Sequence, residues 1–451
     1  MDLIHKIIAA SGEVKEIEEV LKKEDARLQK TKESELTQLL ANLSPADHTL
    51  GYIRILSYMA KEGLKDIGTF ARLASGLLLK GTNLHLDKPR VYKIGKHFGR
   101  ACIMGSPKSG ILPLKRAIDQ MCAKKPHILT PLHDTYVLLC ILTKCYNSAL
   151  SVIAVPKYEI EPKANRMTMT DYLCYYYYSG KVCCVLKRWE DALEHFQAVL
   201  TAPSDGCISA IQIEAYKKHM LVSLLLHGEV VALPKQVTNN GVIGKCKEQA
   251  GQEYQTIRFG AKDSVAEVTR KATEAKQVFV KDENWGLVKQ VLAAMADQKI
   301  QKLNKTYATL SFKDVARLAD LEDEKEAETK LAHMIEDGKI NAVICTKDRM
   351  VTFRDDDHAH GGRTGSGDGD EEVAMKLKNK IHEAFELSAK LREIDYKIKT
   401  DPMFVKRNSM ASSRKEVVYP THAQTDHAAT GYGMSESQQL RHALEKSKFE
   451  R

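Results

Sequence analysis

At 451 residues the chain is longer than one ordinary hydrophobic core sustains, so two or more domains or an elongated repeat array are expected. Apolar residues make up 43%, normal for a globular protein, and a net charge of +9 within 28% charged residues of both signs does not by itself imply nucleic acid. The ten cysteines form no C-x-x-C pair and no disulfide-framework spacing, and read as reduced, buried thiols of a cytosolic or nuclear compartment. Asp2 and His5 interrupt the start, so no signal peptide is expected. Lys144 and Asn147 break the longest apolar region, residues 136–155, so no membrane span is expected either.

Amphipathic helix follows amphipathic helix from the N-terminus. Val14, Ile17, Val20, Leu21 and Leu28 keep to one face. Ser44-Pro45 predicts a cap with proline at the first helical position, introducing Tyr52, Ile55, Leu56 and Met59 at i, i+3, i+4 and i+7. Further helices are predicted over residues 67–79, 92–104, 112–122 and 133–145, with Gly81-Thr82-Asn83 and Ser106-Pro107-Lys108 as punctuation. Convincing strand alternation is scarce before residue 340, so a stack of helical hairpins is expected.

One hairpin specifies a repeat type. Gly180 sits where a tetratricopeptide-like repeat needs a small residue for close helix approach, and Trp189, Ala192-x-x-x-Phe196 and Pro203 fill the second-helix part of the pattern. A single good match implies degenerate repeats. The run Tyr175 to Tyr178 points to all sides of a helix and reads as structural rather than as an aromatic ligand box. Helices over 211–227, 265–280 and 285–295, the last leading towards Ile300, Leu303 and Tyr307, carry the array up to the next module as one rigid unit.

That module spans residues 310–353. Ser311 with Asp314 three residues on is a capping-box-like start, and Val315 and Leu318 share the face of a short helix. A second helix places Ala327, Leu331, Met334 and Ile335 on one face and stops at Asp337-Gly338. The period then changes: Ile340, Ala342 and Ile344 alternate with Asn341 and Val343, a polar turn covers 347–349, and Met350, Val351 and Phe353 continue the pattern. Helix, helix and two-stranded ribbon make the outline of a winged helix. Its second helix carries Glu322, Asp323, Glu324, Glu326, Glu328, Glu336 and Asp337 against Lys325 and Lys330, a balance that repels DNA. The ribbon edge, with its unpaired N–H and C=O groups, is therefore the expected docking feature, for protein.

After Phe353 an Asp/His/Gly-rich stretch reads as a flexible linker over 356–372. Helical order returns over 373–400, where Leu377, Ile381, Phe385, Leu391, Ile394 and Ile398 belong to an apolar stripe that a lone helix cannot bury by itself, so it is expected to pack on partner helices. The tail, 401–451, reads as largely disordered, and Ser409 in its Lys406-Arg407-Asn408 context is a candidate phosphorylation site.

No active site is legible. His358-x-His360 lacks the Ser and Asp at the spacing a zinc isopeptidase needs, since Asp368 stands eight residues after His360 and Ser366 is out of register. Phosphate-loop, dinucleotide and nucleophile-elbow motifs are absent, so neither catalytic residues, metal nor cofactor is expected.

Residues 310–353, above all Met334-Ile335-Glu336-Asp337-Gly338-Lys339-Ile340-x-Ala342-x-Ile344, resemble the winged-helix half of a PCI domain, the module shared by the proteasome lid, the COP9 signalosome and a translation initiation factor. Four further segments resemble the family of signalosome third subunits: Tyr172 to Tyr178, Ile213 to Leu224, Asn284 to Gln290 and Asp401 to Val405. The resemblance runs from about residue 50 to 405. It implies a mainly α fold with tetratricopeptide-like repeats over 1–170, a PCI domain over 171–355 with its winged helix at about 296–355, and a C-terminal bundle helix. It further implies a non-catalytic scaffold, cytoplasmic and nuclear, in a complex that removes a ubiquitin-like modifier from cullin ubiquitin ligases and keeps its zinc protease on another subunit. By the same resemblance, residues 340–344 and 350–353 pair with neighbouring winged helices, those of the first and eighth subunits, and residues 377–398 join a helical bundle. A proteasome-lid or initiation-factor subunit, or less favourably a nucleic-acid-binding winged-helix regulator, are the alternatives.

Overall fold

The structure, a computed structural model, describes residues 14–60, 66–203, 207–233, 240–260, 264–321, 323–354 and 368–402. It divides between Ala359 and His360 into two compact units. In the first, α1 (Val14–Lys30) and α2 (Glu33–Ala41) lead into α3 (Thr49–Met59), α4 (Ile67–Lys80), α5 (Lys88–Met104), α6 (Ile111–Cys122), α7 (His133–Leu142), α8 (Tyr146–Ile153), the short α9 (Pro162–Asn165), α10 (Met169–Val185), α11 (Trp189–Leu200) and α12 (Ala210–His227). Helices α3, α5, α7, α10 and α12 pack one on the next, while α4 packs on both α5 and α6, which makes a layered stack of hairpins. Local signals start the long helices. Thr168 and Asp171 exchange backbone-to-side-chain hydrogen bonds of 2.9 and 3.3 Å at the head of α10, and Gln212 Oε1 accepts from Ser209 N at 3.0 Å at the head of α12.

Three helix expectations change. α3 begins at Thr49 rather than at Pro45, because Ser44 Oγ accepts from Asp47 N at 3.4 Å and closes a turn first. The helix expected over 133–145 ends at Leu142, since Lys144 adopts φ 58°, a left-handed conformation that no continuing helix contains. The helix expected over 265–280 is two, α15 (Val265–Glu274) and α16 (Lys276–Lys281), parted at Ala275 and preceded by α13 (Asn240–Gln249) and α14 (Gln252–Gly260).

One apolar core runs unbroken from Leu21 to Val291, across the boundary expected at residues 170 and 171. A second gathers Ile300, Phe312, Val315, Leu331, Met334 and Val351. The long α17 (Trp285–Thr306) joins them, giving Val288 and Val291 to the first core and Ile300 to the second. After it come β1 (Thr309–Ser311), α18 (Phe312–Ala319), α19 (Glu324–Glu336), β2 (Ala342–Cys345) and β3 (Met350–Phe353). The expected two-stranded ribbon is thus a three-stranded antiparallel sheet in the order β1-β3-β2. Leu310 pairs with Val351 and Ile344 pairs with Val351 from the other side.

The second unit contains α20 (Asp368–Thr400). It begins inside the stretch expected to be linker, 356–372, and stops before Asp401-Pro402 as the sequence predicts.

Candidate functional site

The winged helix assembles from its caps outward. Ser311 Oγ accepts from Asp314 N at 3.1 Å to start α18, and Asp323 Oδ1 accepts from Glu326 N at 2.7 Å to start α19. Ala327, Leu331 and Met334 of α19 are buried, as their spacing predicts. Gly338, at φ 68°, takes the left-handed position after the helix, and Lys339 N returns to Met334 O at 2.8 Å, which aims the chain into β2.

The seven ribbon residues separate into two sets. Ile340, Ala342, Val351 and Phe353 are buried in the module's core. Val343 is 44% exposed, Met350 38% exposed and Ile344 half-buried. Strand β3 is bonded on both sides, so its backbone has no edge to offer; β2 is bonded to β3 alone and has no second strand partner among the described residues. Strand β1, which closes the other side, is missed by the sequence reading because Thr309-Leu310-Ser311 is too short to show a period.

On α20, Leu377, Ile381, Phe385, Leu391, Ile394 and Ile398 are all exposed, Phe385 at 71% and Leu391 at 65%. The candidate phosphorylation site Ser409 and the pair His358 and His360 lie outside the described residues.

Residues 11–240 match the family model described as COP9 signalosome complex subunit 3, N-terminal helical repeats, and residues 252–355 match that of the PCI domain. Two relatives are named COP9 signalosome complex subunit 3. The protein of Dictyostelium discoideum is 31% identical over 379 residues, covering 82% of this chain and 87% of its own length. That of Arabidopsis thaliana is 30% identical over 373 residues, covering 81% of this chain and 83% of its own. The chain belongs to the COP9 signalosome subunit 3 family.

In this subunit 3 family member the PCI match begins at residue 252, the first residue of α14, while the sequence reading starts its PCI domain at 171. Cations of the winged helix are paired with carboxylates of the same chain. Lys330 pairs with Asp297 at 2.9 Å, Lys339 with Asp337 at 2.9 Å, and Arg349 with Glu324 at 3.3 Å, so these cations are already engaged. The hydrogen bond from Lys339 holds the Asp337 carboxyl below its ordinary range, and the Ser311 hydroxyl does the same for Asp314. Glu324, Glu326, Glu328 and Glu336 stand on α19 beside these pairs.

Among this family member's described residues no group of three His, Cys, Asp or Glu is placed to hold a metal ion. Burial pushes the thiols of Cys183 and Cys184 up to about 11 and about 12, which keeps both protonated and inert. Cysteine burial is less complete than expected: Cys207 and Cys345 are exposed, and Cys145, Cys174 and Cys184 are half-buried. No helix among the described residues is long and apolar enough to cross a membrane.

Proposed function

We propose that the chain is a non-catalytic scaffold subunit of the COP9 signalosome, the complex that removes a ubiquitin-like modifier from cullin-RING ubiquitin ligases, and that bond cleavage falls to another subunit. The observation that carries this reading is likeness over 82% and 81% of the chain to two relatives named as that complex's subunit 3. In this reading β2 is the docking edge. An incoming strand bonds to its outer N–H and C=O groups and rests on Val343 and Met350, while Ile340, Ala342, Ile344, Val351 and Phe353 brace the sheet from behind. The winged helices of the first and eighth subunits are the partners of this winged helix in the proposal. The exposed stripe on α20 joins helices of several subunits, and the assembled protein works in cytoplasm and nucleus.

The test is affinity purification of the tagged full-length chain from its native cells, followed by mass spectrometry. A multi-subunit assembly that includes the complex's zinc protease is the expected result. Recovery as a monomer, or together with proteasome-lid or initiation-factor subunits, overturns the proposal.

A further inference from the structure

We propose that the helical stack carries a second docking site, an apolar ridge rimmed by cations where α5 and α7 end and α6 begins, and that it takes an acidic amphipathic segment of a protein partner. This goes beyond the scaffold reading and stands without it. Helices α5 and α7 run side by side in the same direction, with Gly95 against Leu132 and Gly99 against Thr135. The turn that follows α5 is tucked between their ends: a β-carbon on Gly110 would lie 2.6 Å from Leu139 Cδ1 and 3.0 Å from Cys102 Sγ. What this packing leaves outside is apolar. Met104, the last residue of α5, is 76% exposed, Leu112 in the first turn of α6 is 67% exposed, and Leu142, the last residue of α7, is 50% exposed.

The charge around the ridge favours an anionic partner. Residues 88–157, which hold α5 to α8, carry twelve Lys and Arg against Asp119 and Asp134 alone, a surplus greater than the +9 of the whole chain. Asp119 is paired with Lys115 at 2.6 Å, and Asp134 stands at the other end of α7, facing the pair of Lys96 and Asp171. Past this span, Glu161 pairs with Lys125 at 2.7 Å and Glu159 with the same lysine at 3.6 Å; after α10, Asp191 pairs with Arg188, and Glu190 stands beside it with Lys187. Lys108 in the turn, Arg116 one helical turn on from Leu112, and Lys144 just past α7 are exposed and make no ion pair among the described residues. Their charge is therefore directed outward, around the apolar ridge.

The mixture favours protein over lipid or nucleic acid. An interfacial helix lays one continuous apolar face into a membrane, whereas these three apolar side chains come from three elements, with Ser106 and Lys108 in the turn between Met104 and Leu112. A phosphate backbone would meet the cations and leave the apolar side chains in water. An amphipathic segment answers both: its apolar side chains cover Met104, Leu112 and Leu142, and its carboxylates reach Lys108, Arg116 and Lys144 around them. Because the ridge rests on the buried Cys102, Gly110 and Leu139, its backbone is set before anything binds.

The test uses the full-length chain and a fluorescein-labelled amphipathic peptide of leucine, alanine and glutamate, with the leucines on one helical face, read by fluorescence anisotropy. Binding that weakens with added salt is expected, together with a loss of about tenfold or more in Met104→Ser/Leu112→Ser and in Lys108→Gln/Lys144→Asn, asparagine being chosen because it tolerates the left-handed backbone of Lys144. Should either double variant melt early, Met104→Ser and Lys108→Gln alone carry the comparison, with the same direction expected. Absence of binding, equal binding of the peptide with glutamine in place of glutamate, or unchanged affinity in the folded variants overturns the proposal. Sedimentation of the chain with phosphatidylserine vesicles that is lost in Met104→Ser/Leu112→Ser overturns it as well, since it reassigns the ridge to a lipid surface.

Discussion

Gly180 of α10 lies directly against Phe196 of α11: a β-carbon on Gly180 would lie 2.6 Å from Cε1 of the fully buried Phe196 ring. The ring rests on backbone that any other residue would cover, which is the physical content of the tetratricopeptide-like pattern. Gly180→Ala must push the ring from its site or part the two helices, and overpacking of this kind costs about 1–3 kcal/mol. Phe196→Leu alone leaves a void, yet beside Gly180→Ala it makes room for the added methyl. The double variant is therefore expected to be more stable in urea unfolding than the two single losses added together. Strict additivity would show that the two positions do not touch.

A pH dependence follows from His219 on α12. Its ring is 1% exposed, neither nitrogen has a hydrogen-bond partner among the described residues, and burial pushes its pKa down to about 4. In the unfolded chain the same group titrates near ~6.5. Between these values the unfolded state binds a proton that the native state refuses, so this contribution to stability is present above ~6.5 and lost as pH falls towards 4, by up to about 1.4 kcal/mol per pH unit. His133, fully buried on α7 and pushed down to about 3, acts in the same direction. His219→Leu is expected to flatten the fall in melting temperature between pH 6.5 and 4 and to leave the difference between pH 7 and 8 unchanged. A variant with the wild-type slope would mean that His219 is already protonated in the fold.

What the sequence made legible was whatever repeats locally. The spacing of Ala327, Leu331 and Met334, the Ser311 cap and the Gly338 stop all recur in the structure, because each depends on residues within a turn or two. Features made by distant residues were not legible. Lys217 pairs with Asp282 at 2.8 Å, Tyr254 donates to the same carboxylate at 2.9 Å, and Asn284 donates to the Tyr254 hydroxyl at 2.7 Å and accepts from Lys218, which binds α12, α14 and the head of α17 into one polar seam. No periodicity announces partners that lie 28 to 66 residues apart. The ribbon shows both cases at once: alternation placed Val351 and Phe353 on one face, but only the arrival of β1 made β3 the central strand and left β2 as the outer one.

That order separates two substitutions of the same chemistry. Val351 is fully buried in β3, so Val351→Asp places a carboxylate where neither water nor a cation meets it, and the module is expected to unfold. Val343 is 44% exposed on β2, and Val343→Asp should alter stability by no more than about 0.5 kcal/mol. If β2 is the docking edge, Val343→Asp nevertheless loses co-purifying subunits while its melting curve stays that of the wild type. Full recovery of the assembly with Val343→Asp would remove β2 from the interface.

The stripe on α20 calls for a different readout, because the helix has support of its own. Lys397 bonds Glu393 and Lys399 bonds Asp395, each at 2.6 Å and four residues apart, the spacing that steadies an isolated helix. Such pairs contribute only about 0.2–0.5 kcal/mol each, too little to account for a row of exposed Leu, Ile and Phe side chains. Ile381→Asp with Leu391→Asp places charge in the middle of that row without touching either ion pair. The expected outcome is an unchanged thermal transition of the helical stack together with reduced incorporation into the assembly, measured by comparing co-purified subunits from cells expressing each form at equal level. A stack that melts earlier in the double variant would instead assign the stripe to the chain's own core, and undiminished incorporation would release it from any role in assembly.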